Sequence, residues 1–272
     1  MLRSCLLVFA LTLAGSVAAQ QPDPSVKLPD ARSNDEIIVQ GLRIPREKLP
    51  TGVYWSYDTL LPGRVTRARA DMQMRCMLRI GDQRLVRQIV DGEPNSAVSR
   101  AALDRLVGAN RGCYPPDPKA WSLVTVTPLR VTDLGGSQLD LGVIIEQVLR
   151  SHAPDAALTP EDIANPAVQD RFMARESVRN RLRLPADCDA LVFASCLVKQ
   201  QPVLATRLFR SSPGSLLERG LVQTMLVEGR VCTADTRRVT VDPGTIRLYV
   251  MDAFYRWVLA ARGVNSLIPA DA

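Results

Sequence analysis

The 272-residue chain is 46% hydrophobic and 23% charged, an ordinary globular mixture that excludes wholesale disorder, and its 5% aromatic content makes Leu, Val, Ile, Ala and Met the core formers. The formal charge of +6 comes almost wholly from Arg, with Lys only at Lys27, Lys48, Lys119 and Lys199. Acidic residues are interleaved throughout and no block of like charge reaches five, so a solvated Arg-rich surface is expected and nucleic acid is not an expected partner.

Arg3, the short apolar run Leu6–Leu13 and the small residues Gly15-Ser16-Val17-Ala18-Ala19 read as a signal peptide over 1–19. The run is too short for a bilayer span of about 20 residues. Leu248–Ala261 comes nearest to one later on, but Asp252 and Arg256 interrupt it. A periplasmic location follows as the expectation. Residues 20–35 are polar and Pro-rich, a flexible leader. Glu36–Gly41 and Gly52–Tyr57 favour β structure, as edge strands or an extended arm over 36–65.

The remainder divides into two look-alike stretches. Cys76-Met77-Leu78-Arg79 aligns with Cys196-Leu197-Val198-Lys199, Pro94-Asn95-Ser96 with Pro213-Gly214-Ser215, and Cys113 with Cys232. Ala102, Leu103, Leu106 and Val107 match Leu221, Val222, Met225 and Leu226. Arg130-Val131-Thr132 resembles Arg238-Val239-Thr240, and Val143–Leu149 stands where Val250–Trp257 stands. This reads as a duplication. Repeat 1 covers 66–150, a connector or hinge 151–165, and repeat 2 166–272.

Each repeat predicts a helical hairpin plus a third helix, so the expected fold is mainly α with a few short β segments. Leu85, Val86, Ile89 and Val90 recur at helical spacing, as do Leu197, Val198, Leu204 and Leu208. Ser96 and Ser215 are candidate N-caps after the turns. Asp242-Pro243, Thr159-Pro160 and Asn165-Pro166 are further helix starts with Pro at the first position.

Within each hairpin, the two cysteines lie nearly equidistant from the Pro at the turn. An antiparallel hairpin sets such positions side by side, which favours the disulfides Cys76–Cys113 and Cys196–Cys232. Cys188 is left over. On one continuous helix over Asp187–Leu208 it lies about 12 Å from Cys196, beyond disulfide reach, so a free, buried thiol is expected.

Chemical signatures are sparse. His152 in the connector is the one histidine. No metal-ligand, P-loop, dinucleotide or nucleophile-elbow pattern occurs, so no cofactor or metal is expected. Glu146 and Asp252 stand at matched places in the two third helices, either as partners for Arg or as a catalytic pair. Arg171, Arg175, Arg179 and Arg183 recur every fourth residue, forming either a docking face for phosphate groups, anionic lipid or an acidic protein, or a solvated face.

At Cys196, Pro213-Gly214-Ser215, Glu218, Cys232 and Asp252-Ala253-Phe254-Tyr255 the chain resembles two-repeat, disulfide-containing periplasmic proteins of Gram-negative bacteria, a family with no assigned activity. The resemblance spans roughly 66–262 and implies export and a helical fold. The first copy departs from the pattern, with Asn95 in place of Gly and no acidic match to Glu218, which implies a different turn there. Asn34–Gly41 looks like the acidic, β-branched segment near the mature N-terminus of TonB-dependent outer-membrane receptors, which implies strand addition to a partner. The expected function is that of a non-enzymatic periplasmic interaction or scaffold protein meeting an envelope protein or an anionic surface. The alternative is a periplasmic hydrolase with a site between the repeats, using His152 or carboxylates.

Overall fold

The computed structural model describes residues 36–38, 53–55, 72, 75–76, 82–110, 113, 138–183, 185–233, 238–241 and 243–269. The described residues are mainly helical. The helices are α1 (Gln83–Val90), α2 (Ala97–Ala109), α3 (Gln138–His152), α4 (Pro160–Ala164), α5 (Pro166–Arg179), α6 (Pro185–Gln200), α7 (Pro202–Arg210), α8 (Leu216–Glu228) and α9 (Pro243–Arg262). Short 3-10 turns follow α5 and α8 at Asn180–Leu182 and Arg230–Thr233. Strands β1 (Glu36–Ile38), β2 (Val53–Trp55) and β3 (Arg238–Val241) pair in parallel in the order β1-β3-β2.

Local chemistry sets the helix starts. The Ser96 hydroxyl accepts the Ser99 N–H (3.1 Å) ahead of α2, and Ser215 accepts the Glu218 N–H (3.1 Å) ahead of α8. Thr159 and Asp162 form a reciprocal capping box before α4, and Asn165 caps α5. Pro opens α4, α5, α6, α7 and α9, where its missing N–H costs nothing. The same property breaks the continuous helix expected over Asp187–Leu208. Pro202 has no N–H to donate and its ring clashes with the preceding turn, so α6 stops at Gln200 and α7 begins afresh.

Helices α1 and α2 form one hairpin and α7 and α8 another. The two turns are alike, contrary to the expectation drawn from Asn95. Asn95 adopts φ 65° where Gly214 adopts φ 78°, and Asn is among the few side-chain-bearing residues that tolerate the left-handed region. The disulfides close both hairpins as expected, Cys76 to Cys113 and Cys196 to Cys232, with Cα separations of 5.7 and 5.6 Å.

The core is continuous. Val86, Ile89 and Val90 from α1, Ala102, Leu103 and Leu106 from α2, and Leu221, Val222, Met225 and Leu226 from α8 are all buried. They surround α3 and α9, which pack together at the centre. Gly142 of α3 lets that approach happen, because a Cβ there would sit 2.6 Å from the Leu248 Cβ. Phe172 of α5 stacks on Trp257 of α9 with centroids 4.0 Å apart.

The segment joining α3 to α4 packs against the core. Ala153, Ala156 and Leu158 are buried, and the Leu158 N–H donates to the Thr206 hydroxyl at 3.0 Å. No described helix is long and apolar enough to cross a membrane. The signal-like and leader segments of 1–35 lie outside the described residues.

Candidate functional site

The charged residues of α3 and α9 do not face a cleft. Glu146 is fully buried and receives Arg247 Nη2 at 2.8 Å and Arg150 Nη2 at 2.8 Å. Arg247, itself fully buried, also donates to the Ser211 hydroxyl (2.8 Å) and carbonyl (3.0 Å), and lies 3.7 Å from Glu218. Asp252, likewise fully buried, receives Arg183 at 2.9 Å and Arg256 at 3.1 Å, with Arg179 at 3.8 Å. Desolvating an ion costs several kcal/mol and is offset only by such pairing and hydrogen bonding. Of the two readings open for Glu146 and Asp252, the partner-for-Arg reading fits this geometry.

The two clusters have the same layout. Arg150 lies four residues after Glu146 and Arg256 four after Asp252. Arg256, from the second third helix, donates to the Val90 carbonyl at 2.5 Å, at the end of the first hairpin's first helix. Arg150, from the first third helix, donates to the Phe209 (3.3 Å) and Ser211 (3.1 Å) carbonyls at the matching end in the second hairpin. Helix α3, through Arg150, therefore caps orphan carbonyls of the second hairpin, and α9 caps both hairpins, the first through Arg256 and the second through Arg247. The signal for this was the pair of Glu/Asp–x3–Arg spacings, visible in sequence but silent about which hairpin they reach.

The four arginines singled out by spacing do not line up as one docking face. Arg183 and Arg179 are buried in the Asp252 cluster, and Arg179 also donates to the Val90 carbonyl (3.2 Å). Burial and the neighbouring Arg256 pull Arg179 down to about 9, while Asp252 and Glu176 hold it up. Burial likewise opposes the charge on Arg256, but Asp252 and Glu176 outweigh it and raise its pKa. The stripe fails as a single surface because the helix ends at Arg179 and the 3-10 turn redirects Arg183 inward.

Arg171 and Arg175 are different. Arg171 Nε donates to the Ala260 carbonyl (2.8 Å), and Arg175 Nη2 to the Val264 carbonyl (2.9 Å) and Asn265 Oδ1 (2.7 Å). These acceptors belong to the Schellman turn that ends α9, where the Val264 N–H reaches the Leu259 carbonyl and cations complement the helix dipole. Neither guanidinium meets a carboxylate among the described residues.

Both arginines line an open groove of about 990 Å³ between the first hairpin turn, α5 and the residues after α9. Its own carboxylates have cationic neighbours, although Asp91 Oδ2 is buried with no hydrogen-bond partner among the described residues. Glu93 takes both Arg181 Nε (2.9 Å) and Nη2 (2.7 Å), and Asp91 accepts the Tyr255 hydroxyl (2.7 Å) with Arg256 at 3.7 Å behind it. Val98 and Val178, 62% and 55% exposed, supply apolar wall. Chain comparison adds nothing to this geometry. No family model, curated protein or solved structure matches the sequence.

His152 ends α3 half-buried, and burial lowers its pKa. Cys188 is not a free thiol. Its sulfur is disulfide-bonded.

Proposed function

We propose that the protein is an exported, non-enzymatic interaction protein of the periplasm, built from a duplicated hairpin unit, and that the groove between the first hairpin turn and α5 is its working surface. One observation carries this reading: Arg171 and Arg175 sit in an open groove without a carboxylate partner among the described residues, beside exposed valines. Exposed apolar side chains next to unmatched charge are the composition of a recognition surface. The disulfides support an oxidising compartment. The common offset of Gln83 to Pro202 and of Ala97 to Leu216, with a closing disulfide in each hairpin, supports the duplication.

The scaffold role makes a physical demand that the buried clusters meet. A groove assembled from the first hairpin, α5 and the end of α9 keeps its shape only if those elements are locked together. The Asp252 cluster joins all three. Its members Arg179 and Arg256 both reach the Val90 carbonyl, one residue before the groove begins at Asp91.

In-cell photocrosslinking from position 178 tests the proposal, with position 216 on the second hairpin (80% exposed) as the control. The expected result is a discrete adduct from 178 only, identified by mass spectrometry as an envelope protein and lost with Arg171→Glu. Equal adducts from both positions, or none from 178, would contradict it.

A further inference from the structure

We infer that the groove binds an extended acidic peptide in which two carboxylate side chains flank one apolar residue. This deepens the interaction reading above and rests on it. Arg171 and Arg175 are one helical repeat apart, a rise of about 6 Å along α5. Alternate side chains of an extended chain are spaced about 6.6–6.8 Å apart on one side of the strand. Two carboxylates at i and i+2 therefore match the two guanidiniums in step, while the side chain between them points the other way.

The groove is suited to receive that middle residue. Val98 supplies apolar surface from α2, a wall of the groove other than α5. Arg175 Nη2 already donates to the Val264 carbonyl and Asn265 Oδ1, but its Nη1 is buried with no acceptor among the described residues. Only Nε of Arg171 is engaged, leaving both of its terminal nitrogens for a forked carboxylate contact. Arg179 lies at the groove's buried edge, 3% exposed, with its Nε lacking an acceptor among the described residues. A buried donor without an acceptor favours a ligand that brings one. Arg181 pairs with Glu93 and Arg256 stands 3.7 Å from Asp91, which lowers the repulsion of an acidic ligand by these two carboxylates.

The test uses the full oxidised protein and a short labelled peptide with a Glu-Leu-Glu centre in a neutral frame, followed by fluorescence anisotropy at about 0.1 M salt, where surface charges are screened beyond about 10 Å. Saturable binding is expected. It should weaken about tenfold or more, the equivalent of 1.4 kcal/mol, for the Gln-Leu-Gln peptide and for Arg171→Glu with Arg175→Glu. Because Arg175 also supports the end of α9, Val98→Asp serves as a second variant. That side chain is 62% exposed and its loss should weaken binding with an unchanged melting temperature. A Lys-Leu-Lys peptide should bind the double charge-reversal variant better than wild type. Equal binding of the Gln peptide, full affinity in both variants, no saturation by millimolar peptide, or binding to anionic phosphatidylglycerol vesicles that the peptide does not displace would each overturn the inference. An envelope-protein adduct at position 178 with no acidic-peptide binding would sink the ligand chemistry and leave the scaffold reading standing.

Discussion

Replacing Glu146 with Ala should be among the most damaging single changes outside the disulfides. The carboxylate is fully buried and holds the fully buried Arg247 through contacts at 2.8, 3.1 and 3.2 Å. Removing it leaves that guanidinium with the Ser211 oxygens and a more distant Glu218. Arg150, about one-third exposed, can turn to water and recover its solvation. Breaking a buried ion pair from one side costs about 3–5 kcal/mol. At roughly 2–4 °C per kcal/mol for a chain of this size, the melting temperature should fall by roughly 6–20 °C. Equilibrium urea unfolding with the disulfides intact is the assay. The companion double variant, Glu146→Leu with Arg247→Met, removes both charges and should regain at least half of the loss, because apolar replacement of a buried pair is often neutral or better. A loss below about 1 kcal/mol for Glu146→Ala, or a double variant worse than the sum of the singles, would refute the reasoning.

Three further outcomes follow from the same structure. Gly142→Ala places a methyl 2.6 Å from the Leu248 Cβ and 3.2 Å from its Cα, so stability by urea unfolding should drop by about 1–3 kcal/mol, whereas Gly220→Ala, with open space around it, should not destabilise. Burial raises Tyr249 and Tyr255 above the ordinary 10.0, and acceptance of their hydroxyl hydrogens by Asp187 and Asp91 adds to it. Their folded pKa values exceed the unfolded ones, so the unfolded chain loses its protons first; the stabilisation is full below about pH 10 and declines as pH rises above it. Tyrosinate absorbance should therefore show these two hydroxyls ionising only as helical circular dichroism is lost, and early ionisation of all the tyrosines would contradict it. Cys196→Ser with Cys232→Ser opens a link spanning 36 residues and should cost about 2–4 kcal/mol, read as a lower urea midpoint.

Much of this architecture was written in patterns of short range. The Ser96, Ser215 and Thr159 caps and the helix starts at Pro160, Pro166 and Pro243 each depend on neighbours within four residues, so sequence alone located them. The two disulfides were legible for a different reason: equal distance from a turn fixes proximity in any antiparallel hairpin. Tertiary partners carry no such local mark. Nothing around Arg256 says that its guanidinium reaches the Val90 carbonyl, and nothing around Arg179 says that it is buried while Arg171, two turns earlier, is exposed. The four-residue Arg spacing was real, but the helix end at Arg179 split its members between core and groove. Asn95 misled because its departure from Gly hides a shared ability to take positive φ. The break at Pro202 was in plain view and was outweighed by a continuous apolar period that spans both helices.

The central structural claim is that α9 secures the first hairpin through Arg256, which holds the groove in shape. Hydrogen exchange of the native protein and of Arg256→Met tests it most directly. Arg256 belongs to α9 but donates to the Val90 carbonyl, so its loss should speed exchange across α1 and α2 while the amides of α7 and α8 keep their protection. Faster exchange confined to α7 and α8, with α1 and α2 unaffected, would contradict the account.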